Sequence, residues 1–438
     1  MTAVSEIETV QDRPLGNTDN SSPPEPRPQQ EKSTQGDGPP DGGLVAWLQV
    51  IGGFMLFFNT WGMLNTFGVF QTYYESGELF QASSSNISWI GSLQSCCLLL
   101  TGLLSGPVLD RGYLRILLVF GTFFVTFSLM MLSVCRTYWE ALICQGVILG
   151  IGGGCLFVPA VAVLPMYFRS KLATAMGLAA SGSSTGGIIY PIVFYRLVPR
   201  IGFSWAVRVL GFMALGTLLI PLAVMRLRVK PAKPRAILDW STFTDLHFMI
   251  LIGAFVIGYA GLYVGLFYLS YFGEATGITN ESLSFYLVPI LNAGSVFGRT
   301  LPNILADKIG PLNVVAPGTM IVSIVLFSLL AVKSAASLVV CVVFFGFFSG
   351  IYVALPAVCF VALTHDKSKI GTRIGMGMAM LGLGVLMGGP GGGGIQQSRD
   401  NGMDFTGTWI YAGATTMACS IILFILRFMK AGFEMVRC

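Results

Sequence analysis

The feature that most constrains this chain is a succession of apolar runs about 20 residues long, separated by short segments that hold Pro, Gly and nearly all the charge. Wound as helices, runs of that length match the roughly 30 Å hydrocarbon core of a bilayer. Only 11% of the 438 residues are charged and 54% are hydrophobic, against roughly 25% charged in a soluble domain, which excludes a soluble enzyme. The runs lack the alternation of a membrane barrel and are too long for its strands. The 54 glycines have no three-residue period, and the 9 cysteines are sparse and lie almost entirely inside apolar runs. Neither a collagen nor a disulfide scaffold fits, and no structural disulfide is expected.

Twelve helices are predicted, over roughly 44–72, 87–109, 114–134, 139–165, 172–195, 204–225, 246–272, 282–305, 312–332, 336–363, 371–396 and 406–428. The expected fold is an all-α polytopic membrane protein. Residues 1–43 are acidic and Pro-rich, with net charge −5 against +10 for the rest, and are expected to be a disordered cytosolic tail. No basic segment and apolar stretch follow Met1, so no cleaved signal peptide is expected. Placing both termini inside puts 19 basic residues in cytosolic segments and 6 outside, with Arg299 alone inside a span. That asymmetry is the positive-inside pattern.

The chain is also an internal duplication. RSKLATAMG from Arg169 returns as KSKIGTRIG from Lys367, an offset of 198 residues, and Asp110-Arg111 returns as Asp307-Lys308. The division that follows is an N-terminal six-helix half over 44–225, a basic connector over 226–245, a C-terminal half over 246–428 and a short cytosolic tail over 429–438. Two parallel six-helix pseudo-repeats are the architecture of major facilitator transporters, with the solute site between the halves near the midplane.

GPVLDRGYLR, Gly106 to Arg115, resembles the loop motif of the major facilitator superfamily, and GRTLPNILADKIG from Gly298 is its weaker counterpart. Asp110, Arg111, Arg115, Asp307 and Lys308 are thereby candidate cytosolic gating residues. DGGLVAW (Asp41 to Trp47), YFRSKLATAMGLAASGSSTGG (Tyr167 to Gly187) and DWSTFTD (Asp239 to Asp245) resemble signatures of the monocarboxylate porter family, particularly its fungal members. The resemblance implies carriage of organic acids or related small metabolites. It also implies a departure: where proton-coupled members place a lysine in helix 1 and an acid four residues before an arginine in helix 8, this chain has Asn65 and Ser295. Every carboxylate beyond the tail sits at a helix end or in a loop, so proton coupling is not expected.

Arg299 is the charge to explain, because a charged residue in mid-span costs roughly 2.5–3.5 kcal/mol on insertion scales. It either faces a polar cavity or snorkels to the nearby cytosolic surface. Asn292, Ser295 and Arg299 fall at i, i+3 and i+7 and form one polar stripe, and a guanidinium suits a carboxylate. Asn65, with Asn59 nearby, is expected to face that stripe from the first half. Tyr259, Tyr263 and Phe267 make an aromatic stripe that serves either the cavity or helix packing, with Tyr263 as the candidate contact.

The Gly-rich stretches of the fifth and eleventh helices lack the Lys-Ser/Thr of a phosphate loop and suit close helix packing. His247 and His365 are separated, so no metal site is expected, and no cofactor or nucleic-acid partner either. Asn86 and Asn280 head sequons that the topology places outside. The expectation is thus a monomeric alternating-access transporter, in the plasma membrane rather than the vacuole, acting on a small anionic solute. An efflux carrier for a biosynthetic secondary metabolite and a non-transporting nutrient sensor are the rival readings. A membrane enzyme lacks any catalytic constellation within a span.

Overall fold

The computed structural model describes residues 41–169, 171–228, 235–364, 366, 369–397 and 404–432, with the side chains of Ala173, Asp307, Gln397 and Ala431 left aside. Residues 1–40, the expected disordered tail, lie outside the described residues, as do His365, Lys367 and most of the tail after Ala431. Among those described, every regular element is helical.

Among the described residues, ten helices are long and apolar enough to cross a membrane. They resolve into twelve spans for two physical reasons. The helix Leu172–Val224 contains two spans, parted where Gly202 takes φ 74, a conformation open to glycine. The helix Glu281–Ile309 is a twelfth span whose polar stripe lowers its hydropathy. We number them α1 (Leu44–Asn59, Trp61–Asn65 and Phe67–Glu75), α2 (Ser84–Asp110), α3 (Leu114–Leu132), α4 (Tyr138–Ala141 through Leu149–Ala162), α5 (172–201), α6 (203–224), α7 (Leu246–Ala275), α8 (Glu281–Ile309), α9 (Pro311–Ser328), α10 (Ala335–Ala362), α11 (Ile370–Gln397) and α12 (Thr406–Ala431).

Several starts are written in capping chemistry. Ser83 accepts from the Asn86 amide, Asp245 from Phe248 and Asn280 from Leu283, and Thr137 with Glu140 closes a capping box on α4. Two features depart from the expected unbroken helices. In α1 the hydroxyls of Thr60 and Thr66 bond back to the carbonyls of Leu56 (2.8 Å) and Gly62 (2.9 Å), and the helix breaks at both residues. Such back-bonding competes with the helical ladder and bends it. In α4 a π-helical turn runs over Leu142–Ile148.

The Gly-rich segments serve close packing, as expected. A Cβ on Gly182 of α5 would sit 2.1 Å from the Phe54 carbonyl oxygen of α1, and one on Gly298 of α8 would sit 1.8 Å from the Phe347 carbonyl oxygen of α10. Only glycine permits those approaches.

The first six helices meet the last six along three seams. Helix α2 lies along α11 from Ser85, whose hydroxyl donates to the Pro390 carbonyl (3.0 Å), to Leu103 beside Gly375. The outer part of α1 packs on α7 through Phe67 and Phe267, edge to face with centroids 4.7 Å apart. Helices α5 and α8 join from Ser183 and Arg299 outward to a Tyr195–Phe285 stack at 4.0 Å and an Arg196–Tyr286 hydrogen bond of 2.7 Å.

Candidate functional site

The α8 stripe predicted from spacing lies on the α5–α8 seam. Arg299 is about ten residues from Ile309, the C-terminal end of its helix, roughly 15 Å along the axis. Its Nε donates to Ser295 Oγ at 3.0 Å, and its Nη1 donates to Ser183 Oγ of α5. Ser295 is one turn toward the N-terminal end of α8, so the guanidinium points away from the Ile309 end, as helical side chains lean toward their own N-terminus. No carboxylate pairs with it among the described residues, and it stays partly exposed while Ser183, Ser295 and Asn292 are buried.

One turn further out, Asn65 Nδ2 donates to Asn292 Oδ1 across the seam at 3.0 Å, and Asn292 Nδ2 donates to the Gly187 and Val288 carbonyls at 3.2 and 3.0 Å. Asn65 therefore meets the α8 stripe, but at Asn292 rather than at Arg299. The residue that faces Arg299 from the first six helices is Ser183, which the sequence presents only as one small residue among many. From α7, Tyr259 and Tyr263 lie within electrostatic reach of the guanidinium. Their rings stack with centroids 5.9 Å apart, and Tyr263 meets Phe267 edge to face at 5.5 Å.

Asn59 requires a correction. It is 1% exposed, accepts from Tyr190 Oη at 2.6 Å and donates to the Met55 carbonyl and to Thr217 Oγ1 at 2.7 and 2.9 Å. All its capacity is spent joining α1, α5 and α6, so it does not face the stripe.

Outside the Asn65–Asn292 bond lies a second polar knot that the sequence reading missed. Gln71 of α1 donates to Glu75 (2.7 Å) and accepts from Ser88 of α2 at 3.4 Å. Ser88 Oγ bonds the hydroxyl of Tyr268 from α7, which also donates toward the carbonyls of Ser84 (3.1 Å) and, on α11, Gly389 (3.2 Å). Four helices are thus tied at one end of the bundle, the end opposite Asp110, by buried groups.

At the C-terminal end of α2, Asp110 is gripped by Arg235 of the connector: Nε at 2.6 Å, Nη2 at 2.8 Å and the backbone amide at 3.0 Å. The Arg235 side chain also lies against Gly106 of α2 and Gly371 of α11. Arg111 and Arg115, expected to share the gating role, are exposed instead, and Arg235 was not singled out because it looks like one of five connector cations. Lys308 is exposed in the last turn of α8, and the side chain of Asp307 lies outside the described residues.

The first two signature segments meet each other, and the third meets the repeat of the second. Asp41, expected to belong to the disordered tail, donates its amide to the Tyr167 carbonyl at 3.1 Å and accepts the Arg169 amide on its carboxylate. Trp47 packs edge to face on Phe168 at 5.3 Å. In the second set, Asp239 takes Lys369 at 3.1 Å and Arg373 at 3.3 Å, and Asp245 takes Arg373 at 2.9 Å. Partial burial raises the Asp239 carboxyl, but the bonds from Ser241, Lys369 and Arg373 outweigh it and hold the group down at about 2.

The sequon residues are both exposed. Asn86 stands in the first turn of α2 with its Ser88 buried in the outer knot, and Asn280 caps α8. Among the described residues, no cluster of His, Cys, Asp or Glu could hold a metal ion.

The chain is 58% identical over 385 residues to the MFS-type transporter dbaD of Emericella nidulans, covering 88% of this chain and 86% of that one. It is 36% identical over 352 residues to the aspyridones efflux protein apdF of the same organism, covering 80% and 72%. The crystal structure of the nucleoside transporter NupG superposes with a TM-score of 0.69 at 14% identity, over 87% of this chain and 99% of that one, a likeness of fold. A family model described as Major Facilitator Superfamily matches residues 49–388, and the chain, with its twelve helical spans in two sets of six, belongs to that superfamily of membrane transporters.

Proposed function

We propose that this transporter exports an anionic organic metabolite across the plasma membrane by alternating access, holding the solute's negative charge at Arg299. The observation that carries the reading is a guanidinium in mid-span, partly exposed, turned into the inter-set seam and without a carboxylate partner among the described residues. Two of its five N–H donors are engaged by hydroxyls, which leaves a fork able to take a carboxylate or acidic enol in two parallel bonds. Asn65, Asn292, Ser295, Ser183 and Tyr263 line the same seam and orient the rest of the solute.

The direction is favoured by the relative named as an efflux protein. Both ends are tied, one by the Tyr268 knot and the Tyr195–Phe285 stack and the other by Arg235 between α2 and α11. The resemblance to monocarboxylate porters fits the anionic solute, while Asn65 and Ser295 set this chain apart from proton-coupled members. Asp110 with Arg235 serves as the cytosolic latch, with Asp307 and Lys308 as its counterpart on α8.

The test compares the source organism with and without the gene product, measuring anionic metabolites in medium and cells. Loss of a compound from the medium with retention inside is the expected result. Loss of uptake from the medium would reverse the direction, and an unchanged distribution of every anionic compound would overturn the proposal.

A further inference from the structure

Most described cysteines sit singly in the spans; Cys341 and Cys419, for instance, bond to the hydroxyls of Ser328 and Tyr352. Cys135 and Cys144 differ. Cys135 lies in the loop after α3, its Sγ 3.2 Å from the Met131 carbonyl and 3.7 Å from the Sγ of Cys144. Cys144 is in the π-helical turn of α4, and its carbonyl accepts from Ser128 Oγ of α3 at 2.8 Å, which fixes that turn against α3. The loop between them is short and closed by the Thr137–Glu140 capping box. Two sulfurs at van der Waals contact, facing each other from a pinned loop and a pinned helical turn, are one small rotation of each side chain from the roughly 2.05 Å of a disulfide.

We infer that Cys135 and Cys144 are joined by a disulfide on the outer face of the protein. This departs from the expectation that all the cysteines are packing residues, and it rests on the orientation proposed above, which places this hairpin on the non-cytosolic side, where disulfides persist. The bond forms by exchange with a protein disulfide of that compartment. A thiolate of the pair attacks the carrier's disulfide, the second thiol displaces the carrier's sulfur, and the carrier leaves as a dithiol bearing both electrons and both protons. One S–S bond is made and one is broken. The staple ties the α3–α4 loop to the π turn, whose register presents Cys144 to the loop.

The experiment uses the native protein and one control variant. The full-length protein is unfolded without reductant in N-ethylmaleimide, then reduced, labelled with isotopically heavy N-ethylmaleimide and cleaved after Arg136, which separates the two cysteines. The expected result is heavy label on Cys135 and Cys144 and light label on the other seven cysteines. Before reduction, the peptides on either side of Arg136 should travel as one species lighter by two hydrogens than the two thiols. In Cys135→Ser, Cys144 should take the light label completely. A tag on either terminus, probed on intact cells, reports orientation separately. Light label on both cysteines with a protected tag overturns the disulfide, as does continued protection of Cys144 in Cys135→Ser; a tag reached from outside overturns the orientation itself.

Discussion

Replacing Arg299 by lysine keeps the charge and removes the fork, and that difference can be worked out from the geometry. In the native chain Nε and Nη1 are held by Ser295 and Ser183, so the plane of the guanidinium is set before solute arrives. An ammonium reaching from the same Cα offers three donors at one point, and with two held by the serines it keeps one for the solute where the fork keeps two. Losing one charge-assisted hydrogen bond to the anion costs about 1.5–3 kcal/mol, a weakening of about tenfold to a hundredfold. Arg299→Gln loses the charge as well and should abolish transport, although it removes the mid-span charge and should insert well. The assay is export from vesicles at matched protein level, read as KM and as maximal rate. The loss in Arg299→Lys should fall on KM, with Ser183→Ala intermediate, because it frees the fork without removing it. A lysine variant with unchanged KM, or a glutamine variant that still transports, would refute the assignment of Arg299 to the solute.

Three other expectations follow from the same contacts. Tyr268→Phe removes the hydroxyl that ties α7 to α2 and α11 at the outer end; a net loss of about 0.5–1.5 kcal/mol should raise the outward-open population roughly 2- to 13-fold, read as maleimide reactivity of a cysteine placed at Phe67. Asp110→Ala leaves Arg235 without its carboxylate and should lower thermal stability by about 1–3 kcal/mol, whereas Arg111→Ala and Arg115→Ala, at exposed positions, should change it by less than about 0.5 kcal/mol. The Asp239 carboxyl is held at about 2 against an ordinary 3.8, so its contribution is present in full above the ordinary value and disappears as pH falls through about 2. The stability difference between the native protein and Asp239→Asn should accordingly be constant from pH 5 to 8; a difference that vanishes near pH 6 would show that another group controls the latch.

How much of this was legible in the sequence depends on whether a feature is local. Span positions were, because hydropathy and capping residues are properties of short windows. The polar stripe Asn292–Ser295–Arg299 was legible too, since helical spacing alone puts the three on one face. Asn59 and Asn65 illustrate the limit. Six residues at 100° each leave them about 120° apart on a regular helix, so they could never both face α8, and only the structure shows which one does. The breaks in α1 were hidden because a threonine that bonds back to its helix looks like any other threonine. Ser183 and Arg235 were hidden because their roles are defined by partners on other helices, more than 100 residues away in sequence.

The duplication reaches further than the repeated nonapeptide, and it bears on how such a molecule rocks. Asp41 and Asp239 stand 198 residues apart, the same offset that relates Lys171 to Lys369. Each acid precedes the first helix of its set and is bound to the segment that opens the fifth, by backbone amides in the first set and by Lys369 and Arg373 in the second. The position has been kept while its chemistry diverged, which is expected if what matters is a rigid tie within each set rather than any particular bond. With α1 fixed to the α4–α5 turn and α7 to α11, each set can turn as one body. The Arg235 side chain, wedged between Gly106 of α2 and Gly371 of α11, is then the charged bridge between the sets at the cytosolic end. Any rocking that parts α2 from α11 there must withdraw Arg235 from one of its two glycines. Its three bonds to Asp110 decide that it stays with α2.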